Sequence, residues 1–245
     1  MSASCLMPDF TLKTLAIVPA RAGSKRLPGK NLLPLQGKPL IQWTLDAALA
    51  SEKIDRVLVT SDDQNLLKLA DQLGCMTLLR PKELATDTAS TYSVLEHALQ
   101  HLHDQQVYPE QTLLLQPTSP LRSTADIDKG LALMEEKDTD SIISVCPVDH
   151  PVQWCNTLDD QCKMDNFISK EILGQRSQEL PTHYRINGAF YLAKTPLLLQ
   201  HKSFFMPNSY ALVMGQENSV DIDTELDFLF CQTLMQHKTL YKDEQ

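Results

Sequence analysis

The 245-residue chain has no C-x-x-C pair, and its six cysteines (Cys5, Cys75, Cys146, Cys155, Cys162 and Cys231) are scattered singly. That spacing argues against a zinc site or a disulfide framework and fits the reduced thiols of a cytosolic protein. No apolar run approaches about eighteen residues, so no membrane-spanning helix is expected. The N-terminal MSASCLMPDFTLK has no charged segment ahead of an apolar stretch, so no secretion signal is expected. An excess of positive charge is also missing. Lys and Arg number 22 against 31 Asp and Glu, for a net charge of -9 and a pI near 5.2. This balance argues against general nucleic-acid binding. Two nucleotide signatures are absent. The P-loop places about four residues between its glycines and then Lys-Ser/Thr. Here five residues separate Gly23 from Gly29, and Asn31 follows Lys30. The dinucleotide fingerprint G-x-G-x-x-G does not occur either. No repeat, low-complexity segment or interdomain linker divides the chain, so residues 1–245 are expected to form a single domain.

One local absence carries information. From Phe10 to Leu45 there is no Asp or Glu, yet there are six Lys or Arg. The apolar run Leu15–Val18 reads as a buried strand. After Pro19 comes a loop with Arg21, Ser24, Lys25, Arg26 and Lys30, and Gly23 and Gly29 allow the backbone to turn and approach a ligand. A basic loop after a buried strand suits a polyanion such as a nucleoside triphosphate. The alternative reading is a solvated surface loop that happens to be basic.

Further along, 56–60, 76–79, 112–116 and 141–145 read as strands. Between them lie helical patterns over 39–50, after Ser61-Asp62-Asp63, over about 91–105, and from Thr124 to about Lys137. Ser61 or Asp62 is the expected cap of the second helix, Thr124 of the fourth, and Gly74 the stop of the second. Strand–helix alternation predicts an α/β fold with a mostly parallel sheet covered on both faces. In such sheets ligands sit at the carboxyl ends of the strands. Between Cys146 and His183 the rhythm breaks, which suggests an extended hairpin or arm. Strands near 188–193 and 210–214, a short helix near 196–200 and a final helix capped by Asp223 or Thr224 complete the expectation.

Three further stretches carry chemistry-bearing groups. Asp221-Ile222-Asp223 reads as the end of a short strand, so its carboxylates at i and i+2 point the same way. They could share a Mg²⁺ with phosphate oxygens, or be a helix cap and an exposed acid. Gln116-Pro117-Thr118-Ser119-Pro120-Leu121-Arg122 is a stiff turn that presents an amide and a guanidinium, or an ordinary strand-to-helix turn. Arg176, Arg185 and Asn187 precede a strand, and pocket arginines favour a carboxylate or phosphate. His97, His101 and His103 are too spread around a helix to form a metal site and read as a solvated face.

Taken together, VPARAGSKRLPGKN, LRPKELATDTAS, LLQPTSPLR, YRINGAFYL and SVDIDTELD, in this order, resemble the CMP-sialic acid synthetases (acylneuraminate cytidylyltransferases) and their relatives for legionaminic and pseudaminic acids. The resemblance covers nearly all of the chain after the first dozen residues. It implies a three-layer Rossmann-like nucleotide-diphospho-sugar transferase fold. The implied reaction joins CTP and a nonulosonic acid, with Mg²⁺, in a homodimer whose dimerisation arm is 146–183. By the same resemblance Arg21, Ser24, Lys25 and Lys30 hold the triphosphate. Asn31, Arg80, Ser90 and Thr91 contact the cytidine or its ribose. Gln116, Arg176, Tyr191, Phe204 and Phe205 line the sugar-acid pocket, with Arg185 and Asn187 beside them. Asp221 and Asp223 bind Mg²⁺ and help deprotonate the anomeric hydroxyl, with Arg21 and Lys30 as the catalytic cations. Family members that use N-acetylneuraminate can carry a lysine just after the arm's His-Pro pair. Here His150-Pro151-Val152 is followed by Gln153. That departure points to another sugar such as legionaminic acid. Alternatives are a 3-deoxy-manno-octulosonate cytidylyltransferase, from which the DTAS and RINGAFY blocks point away, a non-catalytic nucleotide-binding module, and a P-loop kinase, disfavoured by the glycine spacing.

Overall fold

The computed structural model describes residues 10–242. Cys5 and the first nine residues of the expected N-terminus lie outside them. The chain runs β1 (Phe10–Pro19), β2 (Pro34–Leu35), β3 (Lys38–Pro39), α1 (Leu40–Leu49), β4 (Arg56–Ser61), α2 (Gln64–Gln72), β5 (Met76–Leu79), α3 (Thr91–Asp104), β6 (Val107–Leu114), α4 (Thr124–Lys137), β7 (Ser141–Pro147), β8 (Tyr184–Lys194), α5 (Thr195–His201), β9 (Ser209–Val213) and α6 (Glu225–Lys242). Seven strands form one sheet in the order β5-β4-β1-β6-β8-β7-β9. Only β8 runs antiparallel to its neighbours, β6 and β7. The mostly parallel α/β sheet is as the strand–helix rhythm predicts.

The layers follow from the two-residue period of strand side chains. On β1, Ala16 and Val18 face a core with Ile41 and Leu45 of α1, Leu66 of α2, and Ile127 and Leu131 of α4. Leu15 and Ile17 face the other way, onto Leu95, Leu99 and Leu102 of α3 and Leu198 of α5. A third cluster joins Leu35, Leu40 and Leu121 to Val220, Ile222, Cys231 and Met235. It clamps the segment before α6 onto the strand ends. Fully burying one such aliphatic side chain contributes about 2 kcal/mol.

Two helix caps fall one residue from expectation, while Thr224 caps α6 as expected. Asp63, rather than Ser61 or Asp62, caps α2 by accepting from Asn65 N at 2.8 Å. Ser123, rather than Thr124, caps α4 in a reciprocal pair with Asp126. Thr124 instead donates to Ala47 O at 3.0 Å. In both cases the cap must have extended backbone, and that is decided by where the preceding chain leaves the sheet. Thr224 and Asp227 form the same kind of pair at the start of α6.

Of the hairpin or arm expected over 146–183, the described residues form no hairpin. β7 and β8 pair up to Pro147–Tyr184, and Val148 N donates to His183 O at 3.0 Å. Residues 149–182 leave and return through that narrow base as an irregular excursion with two short 3-10 turns, Val152–Trp154 and Ser177–Glu179. Leu158, Met164 and Leu173 on it are exposed.

Candidate active site

At the carboxyl ends of β1, β5 and β6 a cavity of about 370 Å³ opens. Its lining includes Arg21, Ser24, Lys30, Asn31, Arg80 and Thr91 from the expected nucleotide set, Gln116 from the expected sugar set, and Asp221 with Asp223. Residues as far apart in sequence as Arg21 and Asp223 thus meet because parallel strands deliver their loops to one edge.

The basic loop is held by its own chain. Asn31 is buried and donates from Nδ2 to Arg21 O at 3.0 Å. Asp62, freed from capping, accepts from Ala22 N at 2.9 Å. Gly29 has φ 65°, and this left-handed residue starts the 3-10 turn Lys30–Leu32 that aims Lys30 inward. Lys30 Nζ donates to Ile222 O at 2.8 Å and lies 3.0 Å from Asp223 Oδ1. Arg26 reaches the other oxygen of Asp223 at 2.8 Å. Asp87 in turn accepts from Arg21 Nη1 at 2.5 Å and from Lys25 Nζ at 2.6 Å. All four cations of the loop therefore touch one of two carboxylates. Lys25 lies on the rim, lining two adjoining clefts with Arg21, Ser24 and Asp87.

Asp221 and Asp223 do not end a strand. Their segment is extended but irregular, held by Ile222 N donating to Thr118 O at 2.8 Å. Alternation survives without a ladder, because Val220 and Ile222 are buried and turn the two acids to the opposite side. The Asp221 Oδ1 atom is buried and has no hydrogen-bond partner. Burial pushes the Asp221 carboxyl above the usual aspartate range. A bond from Thr118 and the charge of Lys30 oppose that rise, while Asp223 adds to it.

A second cavity, of about 180 Å³, adjoins the first through the shared residues Thr91 and Gln116. Tyr191 and Phe204 wall it, with ring centroids 5.5 Å apart. Burial raises the Tyr191 hydroxyl's pKa, and the Asp221 charge adds to the shift. Gly188, at φ 76°, lets β8 pass against the site. A Cβ there would stand 2.6 Å from Gln116 Oε1 and 3.8 Å from Asp221 Oδ2.

Several expected contacts are not brought to these cavities. Ser90 is spent as the cap of α3, its Oγ accepting from Ser93 N. Asn187 is buried at the β7–β8 irregularity. It accepts from Ser144 Oγ at 2.5 Å and donates to Ser219 Oγ at 2.9 Å, which ties β8 to the segment carrying Asp221. Arg185 lines a different cavity, with Ser219, Phe230 and the far side of Asp221. Phe205 is 60% exposed, while its neighbour Phe204 turns inward. Arg176 is exposed on the excursion, lines none of these cavities, and its backbone N donates to Glu179. Arg122 presents nothing to solvent. It is 2% exposed and donates to Ala189 O at 2.8 Å and Gln116 O at 3.3 Å, a brace beneath the site. Burial lowers its guanidinium to about 9. Arg80 too is buried and donates to Thr60 O at 2.6 Å, so it forms the cavity floor. Among the described residues no group of three His, Cys, Asp or Glu forms a metal cluster. His101 contacts Gln105, and His103 stacks edge-on to Tyr108.

Thr118, Asp62, Asp87 and Gly188 are site residues that sequence reasoning did not single out. Gly188 and Asp87 sit inside the quoted YRINGAFYL and LRPKELATDTAS blocks, so a signal existed. Asp62 gave none beyond its place after a strand.

The fold and site together define an α/β nucleotidyltransferase-type protein. A CMP:2-keto-3-deoxy-manno-octonic acid synthetase complexed with CTP superposes with a TM-score of 0.69 over 92% of this chain and 99% of its own, at 20% identity. A 4-diphosphocytidyl-2C-methyl-D-erythritol synthase from Anaerococcus prevotii gives 0.63 at 16% identity, over 92% and 99%. The family model described as Cytidylyltransferase matches residues 15–245, and the chain belongs to that family. It is 38% identical to the N-acylneuraminate cytidylyltransferase of Escherichia coli O18:K1:H7, over 94% of this chain but 54% of that protein. It is 34% identical to the CMP-N,N'-diacetyllegionaminic acid synthase of Legionella pneumophila, over 92% of this chain and 97% of that one. The pseudaminic acid cytidylyltransferase of Campylobacter jejuni is 30% identical over 91% and 96%. The chain thus spans about half of the Escherichia coli relative and nearly all of the other two.

Proposed function

We propose that the protein transfers CMP from CTP to the anomeric hydroxyl of a nonulosonic acid and releases pyrophosphate. One observation carries the reading. Arg21 and Lys30 of a single basic loop and the Asp221/Asp223 pair converge on one cavity, which adjoins an aromatic-walled second one. A triphosphate suits the loop, and a sugar acid suits the space between Gln116, Tyr191 and Phe204. The relatives' names support the nonulosonic class over 3-deoxy-manno-octulosonate, which enters only through likeness of fold.

The carboxylates fit a divalent cation. The orphaned, buried Asp221 Oδ1 beside a second carboxylate is an oxygen donor set of the kind Mg²⁺ takes together with phosphate oxygens. Bound by Asp221 and Asp223, Mg²⁺ would offset phosphate charge and lower the pKa of the attacking hydroxyl. Arg21, Lys25, Arg26 and Lys30 would hold the β- and γ-phosphates, with Ser24 beside them. Asn31, Arg80 and Thr91 shape the nucleoside end. Both oxygens of Asp223 already face cations, so Asp221 is the carboxylate with lone pairs available to receive the hydroxyl proton. Gln116 orients the sugar. Arg176, on the excursion, reaches a sugar only if that arm closes over a site, its own or that of a second copy in a homodimer. A cytoplasmic setting is part of this proposal. No helix among the described residues is long and apolar enough to cross a membrane.

The test is pyrophosphate release from CTP and Mg²⁺ with N-acetylneuraminic, N,N'-diacetyllegionaminic, pseudaminic and 3-deoxy-manno-octulosonic acids. Release is expected with a nonulosonic acid and its loss with EDTA. Gln153, uncharged and turned to His183 Nδ1 at 3.4 Å, favours the legionaminic compound. Absence of release with every acid would overturn the proposal.

Gly188→Ala probes the passage between the cavities. The left-handed φ alone costs about 1–2 kcal/mol in an L-residue. The Tm is expected to fall by about 4 °C. Displacing the Gln116 amide should lower kcat/KM for the sugar acid about 100-fold, the order that misplacement by about 1 Å produces. A Tm loss with unchanged sugar kinetics would remove Gln116 from the site.

A further inference from the structure

Asp87 has no role in the reaction just described, yet its carboxylate lies among the groups that bind phosphate. It lines the main cavity and both adjoining clefts of the basic loop. It bridges Arg21 and Lys25, as a phosphate with two free oxygens would. The segment around it is lightly tied. Among the described hydrogen bonds, those of residues 82–89 stay within 81–89, as in Ala85 N to Lys82 O and Ala89 N to Thr86 O. The exception is Asp87. Its neighbours Arg80 and Ser90 are anchored, one to Thr60 and the other as the cap of α3. Residues 82–89 are thus a strap fixed at both ends, and its middle is held to the basic loop by one carboxylate.

We infer that Asp87 is a resident counter-anion that keeps Arg21 and Lys25 together in the nucleotide-free protein and latches the 82–89 strap over the cavity. The triphosphate then displaces it. The inference rests on the reading of the cavity as a CTP site. Two like charges cannot share the same two cations without repulsion, so binding exchanges a carboxylate for phosphate oxygens and releases the strap. The cost of the exchange falls only on ligands that carry phosphate, and weakens their binding relative to uncharged ones.

Calorimetric titration of CTP with Mg²⁺, and separately of cytidine, into the wild-type protein and Asp87→Asn tests this without turnover. Asparagine keeps the shape and removes the charge. CTP should bind the variant about 5-fold more tightly, within the range that two exposed ion pairs span. Cytidine affinity should be unchanged. Asp87→Ala should behave alike and covers the case in which the asparagine variant does not fold. CTP affinity that is equal or weaker in the variants would overturn the inference, and weaker binding would assign Asp87 to the metal–triphosphate complex instead. A wild-type protein that binds no CTP would count against the proposed function, a distinct result.

Discussion

Replacing Asp221 by alanine is expected to lower kcat about 1000-fold, the order of a lost general base, while CTP affinity changes by less than about 10-fold. The split follows from geometry. Asp221 lines the main cavity and, among the described residues, makes no ion pair with the basic loop, whereas Asp223 holds Arg26 and Lys30. Steady-state kinetics and CTP titration of the same preparation check it. Equal losses in both, or wild-type turnover, would contradict it. The pH dependence has a definite sign. Burial, with help from Asp223, raises the folded-state pKa of Asp221 above the ordinary 3.8. The folded chain therefore holds this proton more tightly than the unfolded one. The stability it contributes is full below 3.8 and is lost as pH rises through the raised value. At neutral pH the ionised, buried carboxylate, with one oxygen unpartnered, is a cost. Asp221→Asn should then raise the Tm of the metal-free protein by about 2 °C, a shift that roughly 1 kcal/mol gives in a domain this size. Activity runs opposite, since it needs the ionised form, and turnover should fall as pH drops through that raised pKa. A thermal scan in EDTA at pH 7 and a pH–rate profile read the two effects separately.

Lys30→Ala should lose both binding and rate, about 100-fold each in CTP affinity and in kcat, because a charge-assisted contact to phosphate disappears together with the order it imposes. Its side chain is only 13% exposed. Its ammonium joins the basic loop to the carboxylate segment through Ile222 O and Asp223. Without it, Asp223 keeps only the exposed Arg26, and the segment that aims Asp221 loses its tie to the loop. Lys30→Arg should rescue little, since a planar fork does not reproduce a compact ammonium that meets two oxygens at once. The contrast with Asp221→Ala is the point of the experiment. If Lys30→Ala spared CTP binding and reduced only the rate, the loop would not be the triphosphate side.

Much of the fold was legible because its signals are local. The runs Leu15–Val18 and Arg56–Thr60 are apolar enough to be buried strands wherever they pack, and the helical periods between them require a parallel sheet. The basic loop could be read from charge alone, and the site from five blocks in order. The caps of α2 and α4 fall one residue away, since the cap is the last residue with extended backbone and the sheet decides where that falls. Asn187 and Arg122 show a related limit of local signals. A polar side chain announces that it needs partners, but only packing says whether they are ligand atoms or Ser144, Ser219 and Ala189 O.

The sequence by itself determined the layered α/β architecture, the basic loop and the family. Those rest on periodicity, charge and ordered blocks, all properties of neighbours along the chain. Tertiary structure alone decided that β8 runs antiparallel and that Gly188 must be small. It also decided that Asp221 has an oxygen with no partner, and that Asp87 and Asp223 divide the four loop cations between them. Each of these depends on residues tens to hundreds of positions apart meeting at one sheet edge, where burial and Coulomb attraction act through space and not along the chain.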